Sequence, residues 1–292
     1  MQIALFGRTV SDGRSTYIKL LYQLLHEHEV VISIFEPFYK LTKHLLPENS
    51  RIRTFNSPET LLDHNELLVT IGGDGTLLEA ITLVQDRNMP LLGINTGRLG
   101  FLTSYSIDEL AEMVNDIINR NYIIESRILL KIESNVQTFE NINFALNDIT
   151  IHKKDSSSMI SLKVNVEEQF VNTYWADGLI FSTPTGSTGY SLSCGGPLLM
   201  PGSDNLVITP IAPHNLNVRP LVLSDSLTLT VAVESRSRNY LITLDSRSYP
   251  MQTGEAVHIS KANFLVKLAR KKTQSYYKTI REKLQWGLDK RN

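Results

Sequence analysis

The period of the hydrophobic pattern changes near Arg127, and that change excludes any architecture built from one repeating unit. Ahead of it, short β-rich runs alternate with helical patterns. Gln2 to Phe6 and Val30 to Phe35 flank a segment in which Tyr17, Leu20, Leu21, Leu24, Leu25 and His28 recur at helical spacing, and Leu67 to Ile71 and Pro90 to Ile94 flank a helix over Thr76 to Val84. Such alternation is the cadence of parallel βαβ units. Ser106-Ile107-Asp108-Glu109 has capping-box spacing, with Leu110, Met113, Val114 and Ile117 as the apolar face of a last helix ending near Asn121. Behind Arg127 the β-rich runs Ile128 to Ile132, Ser161 to Val166, Leu179 to Ser182, Leu206 to Ile211, Leu227 to Val233, Tyr240 to Leu244 and Phe264 to Leu268 follow one another with few helical patterns between them. A sandwich of antiparallel sheets is the simplest expectation. The tail returns to helix, with Tyr277, Ile280 and Leu284 on one face, and is expected to pack back on the first domain.

A length of 292 residues allows two such domains, each with its own core. With 42% hydrophobic and 20% charged residues the composition is that of an ordinary globular protein, and a net charge of -1 gives no field that would argue for nucleic acid or a membrane surface as partner. Cys194 is the one cysteine, which excludes an intrachain disulfide and a cysteine-rich zinc site and fits a reducing cytoplasm. The apolar run at Met1 to Phe6 is too short for a signal peptide, and nothing approaches the continuous apolar length of a membrane span. The expected localisation is cytoplasmic.

Leu67-Leu68-Val69-Thr70-Ile71 runs directly into Gly72-Gly73-Asp74-Gly75-Thr76. Glycines between a buried strand and a helix N-terminus let backbone N–H groups approach an anion, and the helix dipole adds positive character there. Asp74 is the anomaly, because a carboxylate in a phosphate cradle repels its ligand unless it holds a metal ion or takes a proton from the group being phosphorylated. Gly93-Ile94-Asn95-Thr96-Gly97-Arg98-Leu99-Gly100-Phe101-Leu102 follows the next strand, so its loop should emerge beside the Asp74 loop on the same edge of a parallel sheet, with Arg98 as a phosphate clamp or a surface ion-pair partner. Asp177 to Pro197 is dense in small hydroxylated residues, the low-bulk donors and acceptors a nucleotide pocket needs, and Tyr190 within it is suited to stack on a base. Gly186-Ser187-Thr188-Gly189 lacks the spacing of a serine-hydrolase elbow. Asn147-Asp148, taken alone, reads as a surface turn, since adjacent strand residues serve one ligand only at a strand end or bulge. The seven histidines show no metal-ligand clustering, and Cys194 is expected to be a small buried residue rather than a reactive thiol.

Taken in order and spacing, Gly72 to Thr76, Asn95 to Leu102, Asn147-Asp148, Asp177 to Pro197 and Pro210-Ile211-Ala212-Pro213-His214 resemble the NAD kinase family over nearly the whole chain. The glycine turn alone is shared with diacylglycerol and sphingosine kinases; the long Thr183 to Pro197 motif is the specific one. The resemblance implies a Rossmann-like α/β domain over residues 1–125, a β-sandwich NAD-binding domain over 126–268 and a helical segment over 269–292. It implies transfer of a phosphoryl group from ATP, or from polyphosphate, to the 2'-hydroxyl of the adenosine ribose of NAD, giving NADP. By position Asp74 is the general base and Gly75 lines the same ligand, while Asn147, Asp148, Asp177, Thr188, Gly189, Tyr190, Ser191, Leu192, Ser193 and Ala212 carry over as NAD-binding residues. A divalent cation such as Mg²⁺ is implied on the triphosphate, with no residue assigned as its ligand, and a homo-oligomer, dimer or tetramer, is expected.

The chain departs from frequent family patterns at Trp175-Ala176, where arginine or another polar residue is common, at Arg247, where glutamine or asparagine is common, and at Gly189, where alanine is. Two rivals remain at this level. A lipid kinase would share the glycine turn but leave the Asn95 to Leu102 and Thr183 to Pro197 motifs without a role. A catalytically silent nucleotide sensor would bind NAD without turning it over.

Overall fold

The computed structural model describes residues 1–10, 13–61, 64–97, 100–135, 139, 142–154, 158–236 and 238–286. Arg98 and Leu99 of the second glycine motif lie outside the described residues. The chain divides into two compact units, Met1–Ser126 together with Val266–Asn292, and Arg127–Leu265. Among the described residues, no helix is long and apolar enough to cross a membrane.

In the first unit the strands Ile52–Phe55, Val31–Phe35, Gln2–Gly7, Leu67–Gly72 and Leu91–Asn95 lie side by side in that order, every neighbouring pair parallel, and Leu268 of the strand Ala256–Lys271 pairs with Leu91 beyond them. The central strands are largely apolar because both faces are covered; Leu67 to Ile71 are all buried. The helix Asp74–Val84 buries Leu77, Ala80, Ile81 and Val84. The capping box at Ser106 is present, with Glu109 Oε2 accepting the Ser106 N–H at 2.8 Å, and the helix Leu110–Ile118 buries the expected Leu110, Met113, Val114 and Ile117.

Two helix faces differ from the pattern. The helix Ser15–Glu27 buries Ile18, Leu21, Tyr22 and Leu25, leaves Leu20 and the following His28 exposed, and only half-buries Tyr17. Two overlapping stripes compete in that sequence, and the one carrying Tyr22, whose hydroxyl bonds Thr42 at 2.6 Å, is turned inward. The terminal helix Tyr276–Leu284 belongs to the first unit as expected but buries Thr279 and Ile280, with Tyr277 exposed.

The second unit is a sandwich of two antiparallel sheets. One runs Leu221–Ser224, Asn205–Ile211, Gly178–Ser182, Asp148–Lys153, Asn239–Leu244, Arg247–Gln252; in the other, Gln169–Ala176, Ile160–Val166, Leu229–Glu234 and the start of Ala256–Lys271 are neighbours. Inward residues of both sheets share one core: Ile149, Ile151, Leu179, Phe181, Ile208 and Ile242 from the first meet Leu162, Val164, Val231 and Ile259 from the second.

Candidate functional site

In the first unit, Gly72 closes its strand opposite Asn95, and the Thr96 N–H donates to the Gly72 carbonyl at 3.2 Å, so the two glycine loops do emerge side by side. A Cβ on Gly72 would overlap the Thr76 side chain, which requires glycine there. Asp74 is the first residue of its helix and is partly exposed; Gly75 beside it is exposed. The Asp74 carboxylate turns to the neighbouring loop. Oδ2 accepts the Phe101 N–H at 2.8 Å, and Oδ1 accepts the N–H groups of Leu102 and Thr103 at 3.2 and 3.3 Å and the Thr103 hydroxyl at 3.4 Å. Gly100 lies so close over this carboxylate that a Cβ there would overlap it. Sequence reasoning passed over two cations at this sheet end: Arg8, paired with Glu79, and Arg14, whose Nη1 donates to Thr96 Oγ1 at 3.0 Å.

In the second unit a cavity of about 430 Å³ is lined by Asp148, Thr150, His152, Lys153, Asp177, Tyr190, Ile211, Thr243 and Asp245. Three of the expected residues, Asp148, Asp177 and Tyr190, thus come together. Asp148 begins its strand and is 7% exposed, a buried strand end rather than a surface turn. Strand alternation sends Asp148, Thr150 and His152 to the cavity and Ile149 and Ile151 to the core. Lys153, not singled out in the sequence, pairs with Asp177 at 2.6 Å.

The residue that organises this cavity is Asp245, seen in the sequence only as a neighbour of Arg247. It occupies the two-residue turn between Asn239–Leu244 and Arg247–Gln252 with φ of 52°, and its carboxylate accepts the N–H groups of Leu146, Asn147 and Asp148 at 2.9, 2.8 and 3.3 Å. The sequence signal for it is a short polar turn between two alternating strands. Arg247 donates through Nη1 to the Ile142 carbonyl at 2.8 Å and through Nη2 to the Phe144 carbonyl. In this arrangement its guanidinium braces backbone.

Many hydroxyls of the Asp177 to Pro197 segment are used within the fold. Thr183 donates to the Leu146 carbonyl at 2.6 Å, Ser187 to Pro184 at 2.7 Å, Thr188 to Thr185 at 3.1 Å, and Ser191 shares a 2.8 Å bond with Thr209. Gly189 joins the turn ending at Thr188 to the short helix Tyr190–Ser193; Leu192 is partly buried and Ser193 exposed. Asn147 precedes this strand end and receives the Thr183 N–H at its carbonyl at 2.9 Å. Ala212, just past Ile211, has φ of 43°, an unusual conformation for a residue with a Cβ. Cys194 is half-buried, and burial pushes its thiol up, away from the reactive thiolate.

A family model described as ATP-NAD kinase N-terminal domain matches residues 4–122, and one described as ATP-NAD kinase C-terminal domain matches residues 146–271. The chain belongs to the NAD kinase family. The NAD kinase of Cytophaga hutchinsonii is 45% identical over 295 residues, covering all of both chains, and that of Porphyromonas gingivalis is 36% identical over 98% of both. Among solved structures, an NAD kinase from Archaeoglobus fulgidus in complex with ATP is 25% identical with a TM-score of 0.75, covering 98% of this chain and 99% of that one. A yeast NADH kinase complexed with NADH, at 22% identity and a TM-score of 0.88 over 99% of this chain and 89% of that one, shares the fold.

Charge in this NAD kinase family member's cavity is strongly perturbed. Burial, and then the nearby Asp245 carboxylate, push Asp148 up to about 7, against the hydrogen bond from Thr150. Burial pushes Asp245 up as well, opposed by its three N–H donors and Arg247. For Asp148 the sign is that of a raised acid. Below the unfolded value near 3.8 both states hold the proton and nothing is lost; as pH rises towards about 7 the unfolded chain ionises while the folded one cannot, so stability falls. Asp148→Asn is expected to melt several degrees above the wild type at pH about 8, with that advantage absent at pH about 4, at about 2–4 °C per kcal/mol relieved in a chain of this size. An offset equal at both pH values in a scanning melt removes Asp148 as the cause.

Proposed function

We propose that this protein phosphorylates the 2'-hydroxyl of the adenosine ribose of NAD at the expense of ATP, with Asp74 as general base. The observation that carries the reading is Asp74 itself, a carboxylate at the first position of a glycine-framed helix, in a chain that matches NAD kinases from end to end. A ribose hydroxyl is a poor nucleophile near neutral pH, and a positioned carboxylate takes its proton as the bond to phosphorus forms. Oδ2 is the oxygen suited to this: it accepts a single hydrogen bond among the described residues, whereas Oδ1 accepts three.

Asn147, Asp148, Asp177, Thr188 to Ser193 and Ala212 bind NAD in this reading. Asp148 and Asp177 are suited to accept hydrogen bonds from hydroxyl or amino groups, and the Tyr190 ring, half-exposed in the cavity lining, is suited to a base. Among the described residues, no group of three or more His, Cys, Asp or Glu is placed to hold a metal ion. A divalent cation in this reading would be carried by the triphosphate, with no residue of the chain assigned as its ligand. Such a cation, Mg²⁺ in this reading, supplies neutralisation of charge on the transferring phosphoryl group. Homo-oligomerisation belongs to the same reading, supported by exposed Phe170 and Trp175 on a strand paired on one side only among the described residues.

The test is NADP formation by the purified chain from NAD, ATP and Mg²⁺, read through an NADP-specific dehydrogenase. Metal-dependent turnover is the expected result, and polyphosphate in place of ATP identifies the donor. Tight NAD binding with no NADP from either donor returns the sensor reading, and phosphorylation of diacylglycerol but not NAD returns the lipid kinase.

A further inference from the structure

The loop that receives the Asp74 carboxylate is held from its other side by a second charge. Arg270, 5% exposed, lies near the end of the strand Ala256–Lys271, and its Nη1 donates to the carbonyls of Phe101 at 3.0 Å and Leu102 at 2.9 Å. The same stretch makes two more such bonds: Gln274 Nε2 donates to the Thr103 carbonyl at 3.3 Å, and Ser104 Oγ donates to the Ala269 carbonyl at 3.3 Å. All of these residues belong to the first unit.

The peptide group joining Phe101 to Leu102 therefore has its carbonyl on the guanidinium and its N–H on Asp74. The next peptide, Leu102 to Thr103, repeats the arrangement. Two peptide dipoles are aligned between a buried cation and a carboxylate, each bond polarising the next. A guanidinium removed from water is costly, and an apolar side chain of similar volume would fill the space without that cost. Glu125 Oε2 lies 3.7 Å from the Arg270 Nε, within ion-pair range.

We propose that Arg270 is a positioning residue for phosphoryl transfer, orienting the Asp74 carboxylate through the Phe101–Thr103 peptides. The inference rests on the reading of Asp74 as proton acceptor. A base displaced by about 1 Å loses on the order of a hundredfold in rate while leaving substrate affinity intact. Arg270 touches neither carboxylate nor substrate in this role, so its loss acts on turnover through the loop.

The experiment compares Arg270→Gln and Arg270→Lys with the wild type in the full chain, by steady-state kinetics and by backbone hydrogen exchange of the amides at 101–103. In Arg270→Gln the exchange protection of these amides is expected to fall at least about tenfold, with that of Leu67–Gly72 retained, and kcat to fall about 10- to 100-fold with KM for NAD within about twofold. Arg270→Lys, which keeps a charge able to reach one carbonyl, is expected to recover part of both. Unchanged protection at 101–103 overturns the proposal, as does a loss of turnover accompanied by equal loss of protection across the unit, which is the mark of a merely structural role. If Arg270→Gln does not fold, Arg270→Lys decides by the same two readouts. The exchange arm needs no activity, so a wild type that makes no NADP defeats the functional reading while the clamp is still judged by itself.

Discussion

Asp74→Asn is expected to lower NADP formation by about 10³-fold or more while leaving NAD affinity within about tenfold. The range follows from what a general base contributes, about 10²–10⁴, added to the loss of charge at the transferring phosphoryl group. Asparagine keeps one oxygen to accept from the 101–103 amides but turns an NH₂ group towards other N–H donors, so the loop is disturbed as well as the base removed. The coupled dehydrogenase assay and a binding isotherm for NAD separate the two quantities. Near wild-type turnover removes the general-base assignment, whereas equal losses of turnover and of affinity place Asp74 in binding rather than in the chemical step.

The second large effect is expected at Gly186. This residue is buried in the first turn after the strand Gly178–Ser182, and a Cβ there would overlap the carbonyl, carbonyl carbon and Cα of Asn147. Those are backbone atoms, fixed by the Asp245 carboxylate on one side and by the Thr183 N–H on the other, so no flexible side chain can move aside. Gly186→Ala is expected to cost about 3 kcal/mol, the upper range for overpacking, and to weaken NAD binding at least tenfold by shifting Asn147-Asp148. Denaturant unfolding and NAD titration check it together. A variant as stable as the wild type would show that the Asn147 segment is looser than its hydrogen bonds imply.

Much of the fold was legible because burial and period agree. The strand Leu67–Gly72 is largely apolar on both faces since the crossover helices of a parallel sheet cover both, and the capping box at Ser106 writes a helix start in four letters. The strands left unannounced by the pattern, Ile52–Phe55, Gln169–Ala176, Leu221–Ser224 and Arg247–Gln252, are each paired on one side only among the described residues. Edge strands face water and carry charges and proline, here Arg53 and Pro250, so their hydrophobic alternation is faint.

The candidate site divides along the same line. Glycine-rich turns announce themselves, because a backbone that must touch a carboxylate or another backbone tolerates no Cβ; Gly100 over Asp74 and Gly186 over Asn147 are both examples. Asp74, Asp148, Asp177 and Tyr190 stood out by the segments they occupy. Asp245, Arg270 and Lys153 did not, because each acts on groups far away in sequence: the amides of 146–148, the carbonyls of 101–102 and the Asp177 carboxylate.

By itself the sequence determined the two-part architecture, the turn that presents Asp74 and the hydroxyl-rich segment around Tyr190, all of which are local: period, glycine placement and residue size over stretches of a few to about twenty residues. Tertiary structure alone decided which oxygens and amides are already taken. Hydroxyls that read as ligand donors, such as Thr183 and Ser191, are bound within the fold, and the two aspartates that each gather three backbone N–H groups do so across 27 to 99 residues of chain. A buried polar group takes its partner from whatever the packing brings near, and no spacing along the chain records that choice.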